Sequence, residues 1–316
     1  MKHKVIIDTD PGIDDAMAIH MAFADQSIDV IGLTSIFGNV TTHTATRNAL
    51  RLAEMAYYRT IVAPGALVPL IRGAEPPADF VHGAEGFGTV PAATPAGSAD
   101  GRSAAQFLCE SCAAAPGEIT ICAVGPLTNL AAALSLDPNF VRNVKSIVIM
   151  GGSYAYHGNV TGCAEANIWN DPDAADRVFA ADWDVTMVGL DVTERTQCTP
   201  DDFAFLASQS PQIGGFLRRA ADFYFDFHQS KTGVRSCFMH DPSAILAITD
   251  AHLFGFEVVP IAVICDGEEI GRTALYEGQD RRLVKVATSV DNVAAREKFL
   301  GLVAHADDIS EMRKAG

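Results

Sequence analysis

V-I-I-D-T-D-P-G-I-D-D-A-M-A, residues 5–18, is the stretch from which the fold of this chain can be worked out. Its β-branched run at residues 5–7 is typical of a buried strand, and Pro11-Gly12 ends that strand with turn chemistry. A helix is predicted to begin at Asp14, because carboxylates are favourable at the positive end of a helix dipole. The stretch therefore predicts a strand, a tight turn and a helix in direct succession.

Four carboxylates lie within eight residues of this stretch: Asp8, Asp10, Asp14 and Asp15. Helix capping explains one or two of them, but four would repel one another where a strand end meets a helix start. A hard divalent cation relieves that repulsion, because Ca²⁺ and Mg²⁺ prefer oxygen ligands. An EF-hand is excluded, because its glycine and its bidentate glutamate would fall at Ile13 and Ile19. The sequence predicts an acidic metal site at the carboxyl end of a strand.

The length, composition and net charge of the chain limit the classes of protein to which it can belong. With 316 residues, of which 48% are hydrophobic, the chain is predicted to form one large α/β domain over residues 1–316. A net charge of −16 argues against a nucleic-acid partner, which needs a basic surface. The seven scattered cysteines favour a reducing compartment. No apolar run is long enough for a signal peptide or for a membrane-spanning helix. We therefore expect no signal peptide, no membrane partner and a cytoplasmic location.

Polar residues also follow other predicted strands. Asn39 follows a strand at residues 28–36, Asn129 follows one at 119–124, and Met150 ends one at 146–150. The carboxyl ends of parallel strands meet at one edge of a sheet, so these positions should converge on the acidic stretch. The predicted fold is a single open, mostly parallel (mixed) sheet flanked by helices. It is Rossmann-like, with the active site at the C-terminal strand ends.

The motif D-T-D-P-G-I-D-D-A closely resembles the signature of the inosine-uridine-preferring nucleoside hydrolase family, and the likeness continues along almost the whole chain. The resemblance implies a mixed-sheet α/β fold, a tightly held Ca²⁺, and hydrolysis of the N-glycosidic bond of ribonucleosides to free base and ribose. The expected partners are a small-molecule ribonucleoside and further copies of the chain, as a homodimer or homotetramer.

The resemblance also assigns the residues of the reaction. Asp10, Asp15, Asp241 and the main-chain carbonyl of Val124 are expected to hold Ca²⁺, and Asp10 to take the proton of the attacking water. Asp14 and Asn39 are expected to bind the ribose diol. His240 is the expected helper of the leaving base, because an imidazole titrates near neutrality and this one adjoins Asp241.

Further substrate contacts are expected from four segments. His82 lies in H-G-A-E-G-F-G, residues 82–88, which resembles a loop that flanks the nucleobase. The sulfur of Met150 is expected to border the sugar. Glu165 and Asn167 are spaced to share one side of an extended segment, and the resemblance assigns them, with Asn159, to the 5′-hydroxyl. On a predicted helix at residues 211–229, Tyr224 and His228 share a face that can wall a flat base.

Two other classes of protein stay open. A D-x-D-type metal-dependent phosphohydrolase needs basic residues for phosphate, yet residues 5–46 contain no lysine or arginine. A non-catalytic nucleoside-binding protein could use the same pocket without turnover. For the base, the resemblance implies an enzyme that accepts uridine and inosine and leans toward uridine. Family members with a His directly before the metal-binding Asp, as in His240-Asp241, tend that way, and the purine-specific branch stacks the base on Trp, of which this chain has only two.

Overall fold

The first strand and helix form as the opening motif predicts. A computed structural model describes residues 2–315, and in it β1 spans His3–Thr9 and α1 spans Ile13–Ala24. Side chains alternate across β1, so that Val5 and Ile7 enter one core layer while Ile6 enters the other. All three side chains are fully buried, as expected of a central strand covered on both faces.

The remaining elements follow in chain order. The other strands are β2 (Ile28–Ser35), β3 (Ile61–Pro64), β4 (Ile119–Ala123), β5 (Ser146–Met150), β6 (Val185–Val188), β7 (Gln197–Cys198), β8 (Cys237–Phe238), β9 (Phe254–Val263), β10 (Thr273–Leu275) and β11 (Leu283–Val290). The other helices are α2 (Thr42–Met55), α3 (Asp79–His82), α4 (Ala104–Ala114), α5 (Thr128–Leu136), α6 (Phe140–Asn143), α7 (Ala166–Asn170), α8 (Pro172–Ala180), α9 (Leu190–Thr193), α10 (Pro200–Gln209), α11 (Ile213–Thr232), α12 (His240–Thr249), α13 (Asn292–Val303) and α14 (Ala306–Ala315).

Within residues 2–315, nine strands form one mixed sheet in the order β10-β9-β11-β6-β5-β4-β1-β2-β3. The strands from β3 to β6 and β11 run parallel, whereas β9 and β10 are antiparallel. The run β3-β2-β1-β4-β5-β6 is the strand order of a Rossmann fold, so the predicted fold class is confirmed. Its order reverses between β1 and β4, and a crevice opens at the carboxyl ends of these two strands.

Helices cover both faces of the sheet, each over its own buried apolar cluster. One cluster joins the sheet to α1, α2 and α10 to α14, and the other joins it to α4, α5, α6 and α8. Each face is therefore closed to water, and the strand ends are where polar residues can gather.

Several elements differ from the sequence-based expectations. The sequence predicts a late strand at residues 261–265 and a last helix at residues 291–304, whereas β9 begins seven residues before Ile261 and α14 follows α13. The short pair β7 and β8 was not predicted, because two-residue strands have no readable alternation.

No helix among residues 2–315 is both long enough and apolar enough to cross a membrane. In the same part of the chain, the seven cysteines carry free thiols.

Candidate active site

The acidic residues converge at the crevice between β1 and β4. Asp14 and Asp15 lie in the first turn of α1, and Asp241 lies in the first turn of α12. One carboxylate oxygen from each of the three lies within 4.8 Å of the others. Asp10, in the turn before α1, is fully buried beside them. The structure therefore brings Asp14 into the acidic cluster as closely as the predicted ligands Asp15 and Asp241.

Oxygen atoms in this cluster are buried without partners. Asp10 Oδ1 and Asp14 Oδ1 accept no hydrogen bond from any residue that the structure describes. The other oxygen of Asp10 accepts the backbone N–H of Asn39 at 2.6 Å. Two glycines face this carboxylate so closely that a Cβ on Gly38 or Gly125 would lie 2.1 or 2.6 Å from its oxygens. Buried unpartnered carboxylate oxygens fit a hard cation, which is the ligand that satisfies them best.

Burial and mutual repulsion disfavour the charged form of these carboxyl groups and so raise their pKa values. Burial raises the pKa of Asp14 to about 6. Burial and then the charge of Asp15 raise the pKa of Asp10, and burial and then Asp14 raise the pKa of Asp241. Asn39 donates a side-chain hydrogen bond to Asp15 at 3.0 Å, as expected of an amide beside the acidic loop. The cluster needs either protons or a cation to be stable.

Beside the cluster, the rings of Tyr224, His228 and His82 lie against one another, and these three residues are called the wall below. The ring centroids of Tyr224 and His228 on α11 lie 4.3 Å apart, and His82 lies 5.6 Å from Tyr224. The Tyr224 hydroxyl donates to Asp14 at 3.4 Å, which links the wall to the cluster. Burial lowers the pKa of His82 and of His228 to about 4, so both rings are neutral at pH 7. A neutral flat surface of this kind suits a nucleobase.

His240 opens α12 next to Asp241. Its Nδ1 lies 2.8 Å from the hydroxyl of the buried Thr193. Burial, together with nearby His228 and His82, lowers the pKa of His240 to about 3. The expectation that this imidazole titrates near neutrality is therefore wrong for the structure, because the ring is removed from water. When Thr193 donates to Nδ1, the proton of the neutral ring sits on Nε2 and can be donated to a ligand.

A second group of predicted residues lies at the ends of β4 and β5. The Asn167 amide donates to the carbonyls of Val124 and Met150, both at 3.0 Å. The Val124 carbonyl keeps one lone pair for another ligand. Met150 is almost fully buried, with its sulfur 3.5 Å from the same amide. The side chains of Val124 and Met150 are buried, and the Asn167 amide holds both of their carbonyls.

Glu165 itself has an extended backbone, but α7 begins at the next residue, so the prediction that Glu165 and Asn167 share one side of an extended segment is wrong. Glu165 is the N-cap of α7, and its carboxylate accepts the backbone N–H groups of Asn167 and Ile168 and also that of Gly152. The helical conformation is favoured here because the Glu165 carboxylate accepts the free N–H groups two and three residues after it, at the start of the helix. Burial raises the pKa of Glu165 to about 7. Asn159 is exposed and accepts the N–H of Ala166, so it lies at the edge of this group.

Sequence reasoning missed several polar partners of the site. Thr193 ends α9, a four-residue helix without a motif, and only the fold places it against His240. Asp8 is fully buried and accepts from Thr34 and from Asn129 at 2.8 Å. Asn129 was not missed: it was expected to converge on the acidic stretch because it follows a strand, and its hydrogen bond to Asp8 confirms this. The two tryptophans lie away from the wall, with Trp183 packed on Phe140 and Trp169 beneath Arg72.

Comparisons with known proteins identify the family to which the chain is similar. Residues 5–297 match the family described as inosine-uridine preferring nucleoside hydrolase. A probable uridine nucleosidase 2 of Arabidopsis thaliana is 44% identical over 302 residues, which cover 92% of this chain and 94% of the relative. A solved plant nucleoside hydrolase, the PpNRh1 enzyme, has a TM-score of 0.93 at 38% identity and covers 96% of this chain and 99% of its own.

A purine-preferring ribonucleoside hydrolase from Gardnerella vaginalis also has a TM-score of 0.93, at 30% identity, and covers 97% of this chain and 99% of its own. This hydrolase is named for purines and the Arabidopsis relative for uridine, so the fold alone does not decide the base. The family match spans both halves of the acidic cluster, from Asp10 to Asp241. This chain belongs to the inosine-uridine preferring nucleoside hydrolase family.

Proposed function

We propose that this enzyme hydrolyses the N-glycosidic bond of uridine and inosine, with uridine preferred, and that it requires bound Ca²⁺. Nucleoside hydrolysis follows from its family. The observation that carries the proposal is the convergence of Asp10, Asp14, Asp15 and Asp241 on one buried point beside the wall of His82, Tyr224 and His228. The cluster suits a sugar and a water molecule, and the wall suits a base.

The proposed cation ligands are Asp10, Asp15, Asp241 and the Val124 carbonyl. An all-oxygen set of carboxylates and a carbonyl favours a hard ion, and the flexible coordination of Ca²⁺ tolerates a mixed set better than Mg²⁺ does. When bound, Ca²⁺ would neutralise the acidic cluster, polarise a water molecule and grip the sugar hydroxyls. Asp14 then remains free for substrate.

The chain's own residues supply positioning and proton transfer. Asp10 accepts a proton from the water that attacks the anomeric carbon, since its Oδ1 has no partner in the described chain. Asp14 and Asn39 bind the 2′- and 3′-hydroxyls. Glu165, Asn167 and Asn159 hold the 5′-hydroxyl end, and the Val124 and Met150 carbonyls fix the Asn167 amide in place. Met150 closes the bottom of the sugar site.

Departure of the base is assisted by His240. The transition state has ribosyl-cation character, so negative charge develops on the leaving base. A hydrogen bond from Nε2 of His240 stabilises that charge as the bond to the sugar breaks. His82, Tyr224 and His228 hold the base in place by contact with its flat faces.

A first test measures free ribose released from uridine, with and without a chelator, in the wild type and in Asp10→Ala. We expect one Ca²⁺ per chain in metal analysis, loss of activity on chelation, and no detectable turnover by the variant. A protein that binds uridine without releasing ribose would be a nucleoside-binding protein. Activity on phosphate esters instead would support the phosphohydrolase alternative.

A second test compares kcat/KM for uridine, cytidine, inosine and adenosine. We expect uridine to be best and inosine to be accepted, because Tyr224 and His228 can stack on one ring or two, each stacked base being worth about 1–3 kcal/mol. Neither tryptophan is part of the wall of His82, Tyr224 and His228, and for this reason we do not expect a purine-specific enzyme. Adenosine exceeding uridine by about tenfold, or 1.4 kcal/mol, would overturn the proposed base order.

The remaining proposals concern the whole protein. We infer that residues 1–316 act as one domain in the cytoplasm and assemble as a homodimer or homotetramer. The segment 67–71 supports self-association, since Leu67, Val68, Leu70 and Ile71 are 40–77% exposed and clustered apolar side chains are typical of interfaces. Light scattering of the purified protein measures the oligomeric state.

A further inference from the structure

Two loops of the site lie directly against each other. The acidic loop, residues 10–14, contacts the glycine loop, residues 82–88, through positions where no side chain fits. A Cβ on Gly12 would lie 2.6 Å from His82 Nδ1, and one on Gly86, whose φ is +86°, would lie 2.7 Å from the Pro11 carbonyl oxygen. His82 Nδ1 accepts the N–H of Ile13 at 3.2 Å. The base-contacting loop therefore also caps the first residue of α1.

One side chain from α2 joins the two loops. Asn48 is 1% exposed, and its Nδ2 donates to the Pro11 carbonyl at 3.0 Å and to the Glu85 carbonyl at 2.8 Å. Both amide protons are thereby used, one for each loop. Buried carbonyls of this kind are costly to leave unpaired, so the bridge constrains both loops at once.

A neighbouring ion pair fixes the direction in which the Asn48 amide points. Arg47 donates to Asn48 Oδ1 at 3.1 Å and pairs with the Glu85 carboxylate at 2.7 Å. The amide oxygen thus faces the guanidinium, and the NH₂ group faces the two loop carbonyls. The same pair gives a function to the side chain of Glu85, which clamps the glycine loop to α2 from the solvent side.

We propose that Asn48 is a positioning residue for substrate binding, which sets the glycine loop against the acidic loop so that His82 reaches the base while α1 presents Asp14 to the sugar. The proposal rests on the proposed hydrolysis. Asn48 does not touch the substrate and acts only through His82 and the Pro11 turn. Arg47 and Glu85 support it by holding its amide and the far side of the glycine loop.

The main variant is Asn48→Ala, which removes both bridging hydrogen bonds. We expect KM for uridine to rise about tenfold or more, while kcat changes much less, because the contacts held by the bridge exist before and during the reaction alike. A merely structural role would lower the melting temperature of the Ca²⁺-loaded protein and leave KM of the folded fraction unchanged.

Two half-exposed variants keep the proposal testable if Asn48→Ala does not fold. Arg47→Met and Glu85→Gln each weaken the outer clamp, and we expect each to raise KM about threefold, with the double variant little worse than either. Arg282→Met is the matched control, since Arg282 pairs with Asp182 and Asp184 before β11 and β6, at the opposite edge of the sheet. That control should leave KM unchanged.

Backbone amide exchange supplies a readout besides activity. In Arg47→Met and in Asn48→Ala, the amides of residues 82–90 should exchange faster than in the wild type, whereas those of β4 should not change. Folded variants with KM within about twofold of the wild type and unchanged exchange in residues 82–90 would overturn the proposal. A wild-type protein that releases no ribose from uridine would instead overturn the proposed function, and the exchange comparison would still be readable.

Discussion

At the scale of single residues, burial decides the ionisation state of the site. His240 is a neutral ring because it is removed from water, with its Nδ1 fixed by Thr193. A neutral imidazole assists a leaving group by donating a hydrogen bond, and proton transfer becomes favourable only as the leaving base gains charge. The size of its contribution should therefore depend on how poor the leaving group is.

His240→Ala is expected to slow uridine hydrolysis by about 10²- to 10⁴-fold. Hydrolysis of p-nitrophenyl riboside should be slowed far less, because nitrophenolate leaves without a proton. Steady-state kcat/KM on both substrates measures the difference. The Thr193→Val variant is a useful companion, since it frees the ring tautomer without removing the ring, and it should show a weaker form of the same selectivity. Equal losses on the two substrates would remove His240 from this role.

The residues that sequence could identify are those inside a dense motif. Asp10, Asp14 and Asp15 stand out because four carboxylates in eight residues demand a physical reason. Thr193 and Asn48 carry no such signal, since an isolated threonine or asparagine in a helix has many uses. Their roles arise only when the chain brings α9 or α2 against another segment.

At the scale of elements, the caps show where local sequence and tertiary structure agree. The pair Asp171-Pro172 is typical of a helix start, with aspartate as the cap and proline in the first turn, and Asp171 is the N-cap of α8. Its carboxylate also accepts from the Leu70 N–H at 2.9 Å and from the Thr128 hydroxyl at 2.7 Å. One fully buried side chain therefore holds α8, α5 and the segment after β3 together.

Asp171→Ala should cost about 2–4 kcal/mol of unfolding free energy, because it removes a cap and two further hydrogen bonds to a buried carboxylate. The matched control is Asp291→Ala, which removes the exposed N-cap of α13 with its single bond to Ala294 and should cost about 1 kcal/mol. Urea titration of both Ca²⁺-loaded variants gives the comparison. Similar losses at the two sites would mean that the buried network adds nothing to capping.

At the scale of the whole molecule, the site is a concentration of ionisable groups that the core forces together. Burial raises the pKa of Asp8 and of Glu165 to about 7, and that of Asp14 to about 6. Without a cation, these groups bind protons more tightly in the folded than in the unfolded chain. Their contribution to stability is therefore complete below the unfolded pKa of about 4 and is lost as pH rises through about 6 to 7.

Removal of the metal should consequently destabilise the protein more at about pH 8 than at about pH 6.5. The buried histidines have lowered pKa values and oppose folding only below about pH 6.5, so they do not disturb this window. Melting curves with chelator or with Ca²⁺ at both pH values test the expectation. A chelator effect of the same size at the two pH values would contradict it.

The overall architecture was predictable because the strand segments β1, β2, β4 and β5 are apolar runs ended by turn or polar residues. Pairing of β9 and β10 in antiparallel fashion was not predictable, since direction depends on how the chain returns after α12. The edge of the sheet where the site lies followed from strand polarity alone. Which residues contact each carboxylate could be seen only in the folded structure.

The acidic cluster joins residues that are far apart in the chain, since Asp10, Asp14 and Asp15 lie near the start while Asp241 lies at the beginning of α12. On a ribosome the first three emerge long before the fourth, by roughly 10–45 s at ordinary rates of synthesis. Until Asp241 has been synthesised, the cation site after β1 is incomplete. The free energy of cation binding therefore cannot yet stabilise this part of the fold. The strand β1, which lies between β4 and β2 inside the sheet, is therefore synthesised before the other strands of the sheet but is stabilised by the cation site only late.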